Sequence, residues 1–238
     1  MNNGIYSDKE FCIEVWGARA CFTRPEFKVE RVSYEVITPS AARAIFECIF
    51  WKPAIQWEVT RIDVLNPIKW ATIRRNEIKL GQNNNNAPII IEDARDQRNS
   101  LILKDVRYRL YARFKFIPQW KRKTTKNPII DKEELDLLHK DENPGKYMAI
   151  FERRARKGQC FKTPYLGCRE FSADWKYIAN PQNDKIEDRC IGDKDLGFMF
   201  YDWTYESEDK NEAQFFHAKM ENGTILVPDK NNKTEVLR

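Results

Sequence analysis

Val106-Arg107-Tyr108-Arg109-Leu110-Tyr111-Ala112-Arg113-Phe114-Lys115-Phe116 decides how the rest of this 238-residue chain is read. Val106, Tyr108, Leu110, Ala112, Phe114 and Phe116 alternate with Arg107, Arg109, Tyr111, Arg113 and Lys115. Successive side chains of a strand point to opposite faces. Period two therefore gives the first set to a core and the second to a face that carries a row of cations. Upstream, Phe11–Gly17 reads as a short strand ending at a glycine. Thr38-Pro39-Ser40 opens a helix, since Thr38 can cap it and proline is tolerated at its first position. Ala41, Ala42, Ile45, Cys48 and Ile49 recur on one helical face, and Pro53, which has no donor, closes the helix. Ile55–Leu65 is a β-branched strand broken by Asn66-Pro67.

The segment 68–100 is less readable, and its tract Gly81-Gln82-Asn83-Asn84-Asn85-Asn86 suits a polar loop. Residues 121–143 form an insertion that begins basic and turns acidic. Lys146–Lys157 is helical, with Met148, Ile150 and Phe151 as apolar contacts and Gly158 as a C-cap. Tyr165–Phe171 is a strand candidate. The order strand, helix, strand, strand, helix, strand predicts an α+β fold, the ferredoxin-like (RRM-like) βαββαβ unit. That unit is expected over residues 1–171, with a small C-terminal antiparallel β domain over 172–238. Within the latter, Asn222-Gly223 between two strand-like runs is a strong hairpin signal, and the tail from Lys230 reads as loose.

Composition narrows the function classes. With 42% hydrophobic and 32% charged residues the chain is globular. No apolar run approaches the roughly 18 residues a membrane helix needs, and the N-terminus has no signal-like apolar stretch, so a cytoplasmic protein is expected. The cysteines (Cys12, Cys21, Cys48, Cys160, Cys168, Cys190) contain no C-x-x-C pair, and His139 and His217 are the only histidines. Neither a metal nor a cofactor is expected, and the cysteines read as small core residues.

Charge is unevenly placed. The net charge is +5, but residues 172–238 hold 14 acidic and 9 basic residues, leaving 22 acidic and 32 basic in residues 1–171. Arg107–Lys126 has eight cations and no acid, and a second cluster is Arg153, Arg154, Arg156, Lys157 and Lys162. Two readings stand. One is a solvated face, with the helix-end arginines suiting the helix dipole. The other is a nucleic-acid surface, favoured by two clusters interleaved with Tyr108, Tyr111, Phe114, Phe116 and Trp120.

The residues also resemble a known family, the subtype I-C (Dvulg) branch of the CRISPR-associated RAMP superfamily, the Cas-five-d pre-crRNA endoribonucleases. The resemblance covers nearly the whole chain. It rests on the order and spacing of 11–17 (Phe-Cys-Ile-Glu-Val-Trp-Gly), Ser33-Tyr34 leading to 38–41, and 49–53 (Ile-Phe-Trp-Lys-Pro). It continues through 103–108 (Leu-Lys-Asp-Val-Arg-Tyr), Gly145-Lys146-Tyr147, 165–171 (Tyr-Leu-Gly-Cys-Arg-Glu-Phe) and 220–223 (Met-Glu-Asn-Gly). It implies a protein that binds the repeat stem-loop of pre-crRNA and cuts at its 3′ base. It further implies one that stays on the crRNA 5′ handle, beside the backbone and large subunits of the type I-C interference complex. Cutting would use the RNA's own 2′-OH without a metal, leaving 2′,3′-cyclic phosphate and 5′-hydroxyl ends.

The family pattern places a tyrosine at the end of the first helix and a Lys-His pair at the start of the second. Here those positions are Phe50, Lys146 and Tyr147. A phenol, with a pKa near 10, is a poorer base than imidazole. Lys146 can stabilise a phosphorane, Tyr147 can orient the hydroxyl, and His139 is the fallback base. For RNA binding the candidates are Arg107, Arg109, Tyr111, Arg113 and Lys115 on the strand and Arg153, Arg154 and Lys157 on the second helix, converging on Lys146 in one cradle. The departures at Phe50 and Tyr147 also admit a catalytically weak or inactive crRNA-binding scaffold, and the same basic surface would accept duplex DNA.

Overall fold

The alternation over 106–116 does form a strand, but a longer one: β4 runs Arg95–Phe116, 22 residues. The computed structural model describes residues 6–27, 29–78, 92, 95–117, 143–183, 192–204, 211–230 and 232–237. Within these the order is β1 (Tyr6–Ala20), α1 (Pro39–Ile49), β2 (Ile55–Val64), β3 (Trp70–Ile78), β4, α2 (Pro144–Arg156), β5 (Asp174–Ile178), β6 (Lys194–Trp203), β7 (Ala213–Glu221), β8 (Thr224–Leu226) and β9 (Val236–Leu237). The strands form one nine-stranded sheet in the order β5-β1-β4-β2-β8-β7-β6, with β3 on β4 and β9 on β7. All named pairings are antiparallel. Among the described residues the fold is α+β, a mostly antiparallel sheet with two helices. Among the described residues no helix is long and apolar enough to cross a membrane.

Both helices cover the apolar face that β4 presents. Phe11 of β1, Trp57 of β2 and Phe114 of β4 meet Phe46 of α1 and Phe151 of α2 in a block of edge-on and tilted rings. All five are almost fully buried. Each such side chain contributes on the order of 1.5–3 kcal/mol by leaving water, so this block fixes where the helices sit.

Local signals explain the helix ends. The Thr38 hydroxyl accepts from the Ala41 N–H at 3.3 Å, the cap expected of it. The helix stops earlier than Pro53 would require, because Phe50 turns extended (φ −154°) and gives its carbonyl to the Trp57 indole N–H at 3.0 Å. Asn143 caps α2 by accepting from Gly145 and Lys146 N–H at 2.7 and 3.3 Å. Gly158 ends it with φ +64°, a left-handed conformation that costs glycine little.

Three segments differ from the sequence reading. Tyr165–Phe171 is not a strand. It is a loop whose Gly167 (φ +83°) lies so close beneath the Cys21 carbonyl that a Cβ would approach it to 2.0 Å. The strand pairing with β1 is β5 instead, so the block β5-β1-β4-β2 runs past residue 171 to Ile178. The tail is pinned, with Val236 and Leu237 pairing to β7. The Asn222-Gly223 turn is as expected, both residues having positive φ. Cys12, Cys21 and Cys168 are buried, whereas Cys48 is half-buried and Cys160 exposed.

Candidate functional site

The candidate catalytic positions meet where α1 ends and α2 begins. Extended backbone at Phe50 turns its ring toward α2. Tyr147 opens the buried stripe Tyr147, Phe151, Ala155, spaced at one helical turn. The Tyr147 ring centroid lies 6.1 Å from that of Phe50 and 6.2 Å from that of Phe116, the last residue of β4. Arg154, two turns beyond Tyr147, sets its guanidinium carbon 5.2 Å from the Phe50 ring centre. Its Nη1 donates to the Ile49 carbonyl at 3.3 Å. Lys146 is exposed in the first turn of α2. A cation there opposes the helix dipole, and a bound anion would relieve the conflict.

The chemistry available follows. Phe50 is buried and has no hydroxyl, so it can shape the site but move no proton. Tyr147 supplies a hydroxyl on a ring that is only 8% exposed. Arg154 supplies positive charge at the Phe50 ring, and Lys146 supplies it from the exposed first turn of α2. Arg153 and Lys157 are exposed on the same helix, while Arg156 stacks over Tyr177 at 5.3 Å. The loop after α2 is tied to the end of α1: Phe161 and Lys162 N–H groups donate to the Cys48 carbonyl at 2.7 and 3.3 Å.

The cationic face of β4 is a different place. Phe114 points to the helices, so Arg113 and Lys115 point away, and the same pleat takes Arg107, Arg109 and Tyr111 to the far side of the sheet. There Glu14 of β1, 1% exposed, gathers three cations. Arg107 donates to it at 2.6 and 2.8 Å and Arg109 at 3.0 Å, with Lys176 of β5 at 3.4 Å. Burial works to raise the Glu14 pKa. The hydrogen bonds from Arg107 and Arg109 and the charges of Arg107 and Lys176 outweigh it, holding the carboxyl below its ordinary value. Lys115 pairs with Glu58 at 3.3 Å. Tyr111 is buried beside Cys12 and Ile178, with Arg61 over its ring at 4.8 Å. Arg107 keeps 40% of its side chain exposed, and Arg113 is exposed.

One cradle joining the β4 arginines to α2 and Lys146 is therefore not what the fold builds. The sheet stands between them, giving a helix-junction site and a separate basic far face. Arg109 and Tyr111 are parts of the interior. Glu14 and Glu58 face Arg107, Arg109 and Lys115 only through the strand register, which no local sequence signal reveals. The alternation of Cys12, Glu14 and Trp16 signals only that they share a face. His139, Lys121, Arg122, Lys123 and the asparagine tract lie outside the described residues. His217 sits on β7 in contact with Asp195 at 2.8 Å, far in the chain from the helix junction.

Comparison with known proteins completes the description. Residues 11–228 match the family described as CRISPR-associated protein (Cas_Cas5). The chain is 40% identical over 232 residues to the CRISPR pre-crRNA endoribonuclease Cas5d of Mannheimia succiniciproducens, covering 91% of this chain and 93% of that one. It is 40% identical over 233 residues to the protein of the same name from Thermus thermophilus, covering 91% and 90%. A solved structure of a CRISPR-associated protein superposes with a TM-score of 0.67 at 26% identity, covering 97% of each chain.

Proposed function

The chain belongs to the Cas5d family of CRISPR-associated proteins, and on that premise we propose that it is a pre-crRNA endoribonuclease. In this reading it binds the repeat stem-loop, cuts at its 3′ base and stays on the 5′ handle within the type I-C interference complex. The strand order β5-β1-β4-β2 with both helices on one face supports a ferredoxin-like catalytic unit, followed by a small C-terminal β unit.

The observation that carries the proposal is the meeting of Phe50, Tyr147 and Arg154 at the helix junction, with Lys146 next to Tyr147 in the exposed first turn of α2. RNA holds its own nucleophile, so the protein must align the 2′-OH with the phosphate, stabilise added charge and assist proton transfer. Lys146 is assigned to the non-bridging oxygens of the phosphorane. Tyr147 is assigned to hydrogen-bonding the 2′-OH, and Phe50 with Phe116 fixes its ring. Arg153, Arg154 and Lys157 hold phosphates of the stem, which is read chiefly through shape and backbone. Arg107, Arg113 and Lys115 form a second basic surface on the far face.

The test is a cleavage assay in EDTA on the repeat hairpin encoded beside the gene. A single cut giving 2′,3′-cyclic phosphate and 5′-hydroxyl ends is expected, and 2′-deoxy substitution at the scissile nucleotide should abolish it. A second reading, a crRNA-binding scaffold without catalysis, is favoured by the missing hydroxyl at Phe50. Tight, salt-dependent hairpin binding with no product at enzyme excess would establish it. Competition with duplex DNA across a salt series ranks that further ligand.

A further inference from the structure

Phe161 is the most exposed large apolar side chain among the described residues, at 84%. A single exposed phenylalanine is ordinary on a protein surface. Two things set this one apart. Its backbone is fixed, because its N–H and that of Lys162 both donate to the Cys48 carbonyl at the last turn of α1, at 2.7 and 3.3 Å. Cations lie near it along the chain: Lys157 precedes it on the cap of α2, Lys162 follows it with its Nζ 5.5 Å from the Tyr165 ring centre, and Arg154 reaches the next carbonyl of α1, that of Ile49, at 3.3 Å. An exposed aromatic ring on an anchored backbone, with cations close along the chain, has the features of a base-stacking platform, as single-strand binding sites use them.

We propose that Phe161 stacks on an unpaired base of the RNA that flanks the repeat stem, holding the single strand beside the helix-junction site. Cys48 lies two residues before Phe50, so the same end of α1 that presents Phe50 to Tyr147 also anchors the platform. The ring face supplies attraction without regard to base identity, and Lys162, the next residue, meets a phosphate of the flank. This inference rests on the RNA-binding reading above.

The experiment compares two probes: the repeat hairpin with its unpaired flanks, carrying 2-aminopurine in the flank, and the same hairpin trimmed to the stem-loop. Phe161→Ala should weaken binding of the flanked probe by about 5- to 150-fold, the range expected for loss of one stacked base. It should leave the trimmed probe unchanged and abolish the 2-aminopurine quenching seen with the unaltered protein. Phe161→Trp should keep both affinity and quenching, whereas Phe161→Leu, apolar but without a π face, should behave as the alanine variant does. With its side chain in solvent, Phe161→Ala should melt at the temperature of the unaltered protein. Equal affinity of Phe161→Ala and the unaltered protein for the flanked probe overturns the inference, as does an equal loss on both probes. If the unaltered protein binds neither probe, the RNA-binding reading fails and the inference falls with it.

Discussion

The Phe50 and Tyr147 rings lie 6.1 Å apart with 39° between their planes, joining the end of one helix to the start of the other. Neither ring is placed by its neighbours in sequence alone. Phe50 is turned inward because its carbonyl serves Trp57, and Tyr147 because it begins the buried stripe of α2. The proposed site is thus an outgrowth of the core, and changes to it read out both chemistry and packing.

Introducing at these positions the groups that the family resemblance implies should speed cleavage. Tyr147→His puts an imidazole, active near neutral pH, where a phenol now stands, and Phe50→Tyr adds the missing hydroxyl. The double variant should raise the single-turnover rate by about 100-fold, the lower end of general acid–base contributions. Rates measured from pH 5 to 9 should show a new inflection near the imidazole range. An unchanged rate and profile would mean that these positions do not contact the reacting atoms.

Lys146→Ala should slow cleavage in EDTA by at least about 100-fold, the size of effect seen when one charge-stabilising donor is removed. Lys146 is exposed, so stability should be unchanged and hairpin affinity should shift only a few-fold. Lys146→Arg should recover part of the rate, because the charge returns with different geometry. Full activity of Lys146→Ala would remove it from the mechanism.

Much of this was open to sequence reading, in identifiable ways. The alternation in β4, the Thr38 cap and the Asn222-Gly223 turn are local signals, and each gives the observed structure. Long-range partners are not local, so nothing near Glu14 announces Arg107, Arg109 and Lys176. The apolar residues Tyr165, Leu166, Cys168 and Phe171 give a stronger strand signal than the alternation of Asp174-Trp175-Lys176-Tyr177-Ile178, although the latter forms the strand. The separation of β4 cations from α2 cations was legible, however. A plan with both helices on the apolar face of β4 already forbids their sharing a groove with its arginines.

Arg43 links α1 to β6, and its removal should loosen the C-terminal strands. Its Nε and Nη2 donate to the two Asp202 carboxylate oxygens at 2.9 and 3.1 Å, and Nη1 donates to Glu47 at 2.5 Å. Asp202 is nearly buried, and without Arg43 it keeps only the Trp203 N–H as a described donor among those near it. Arg43→Ala should cost on the order of 2 kcal/mol, less than for a wholly buried pair because the arginine is partly in solvent. In urea denaturation, a double-mutant cycle with Asp202→Ala should give a coupling above about 1 kcal/mol. Additive effects would show that the contact holds nothing.

The far-face cluster makes a prediction about acid. Glu14 is held below its ordinary carboxylate pKa of 4.5 in the folded protein. The unfolded chain therefore binds its proton more readily, and folding is favoured by the ionised form. That stabilisation is complete above the unfolded value and disappears as the pH falls through the lower folded one. Glu14→Gln removes the carboxylate at every pH and leaves Arg107, Arg109 and Lys176 without their shared counter-charge, a loss of about 3 kcal/mol at pH 7 by analogy with broken buried pairs. The gap between the two proteins should narrow below pH 4.5, as the unfolded chain takes up the proton, and close as the pH falls through the lower folded value. Other acidic groups titrate in both and cancel in the difference. Unfolding free energies from urea titrations between pH 7 and 3 measure this gap, and a constant gap over that range would mean that the Glu14 charge does not hold the far face together.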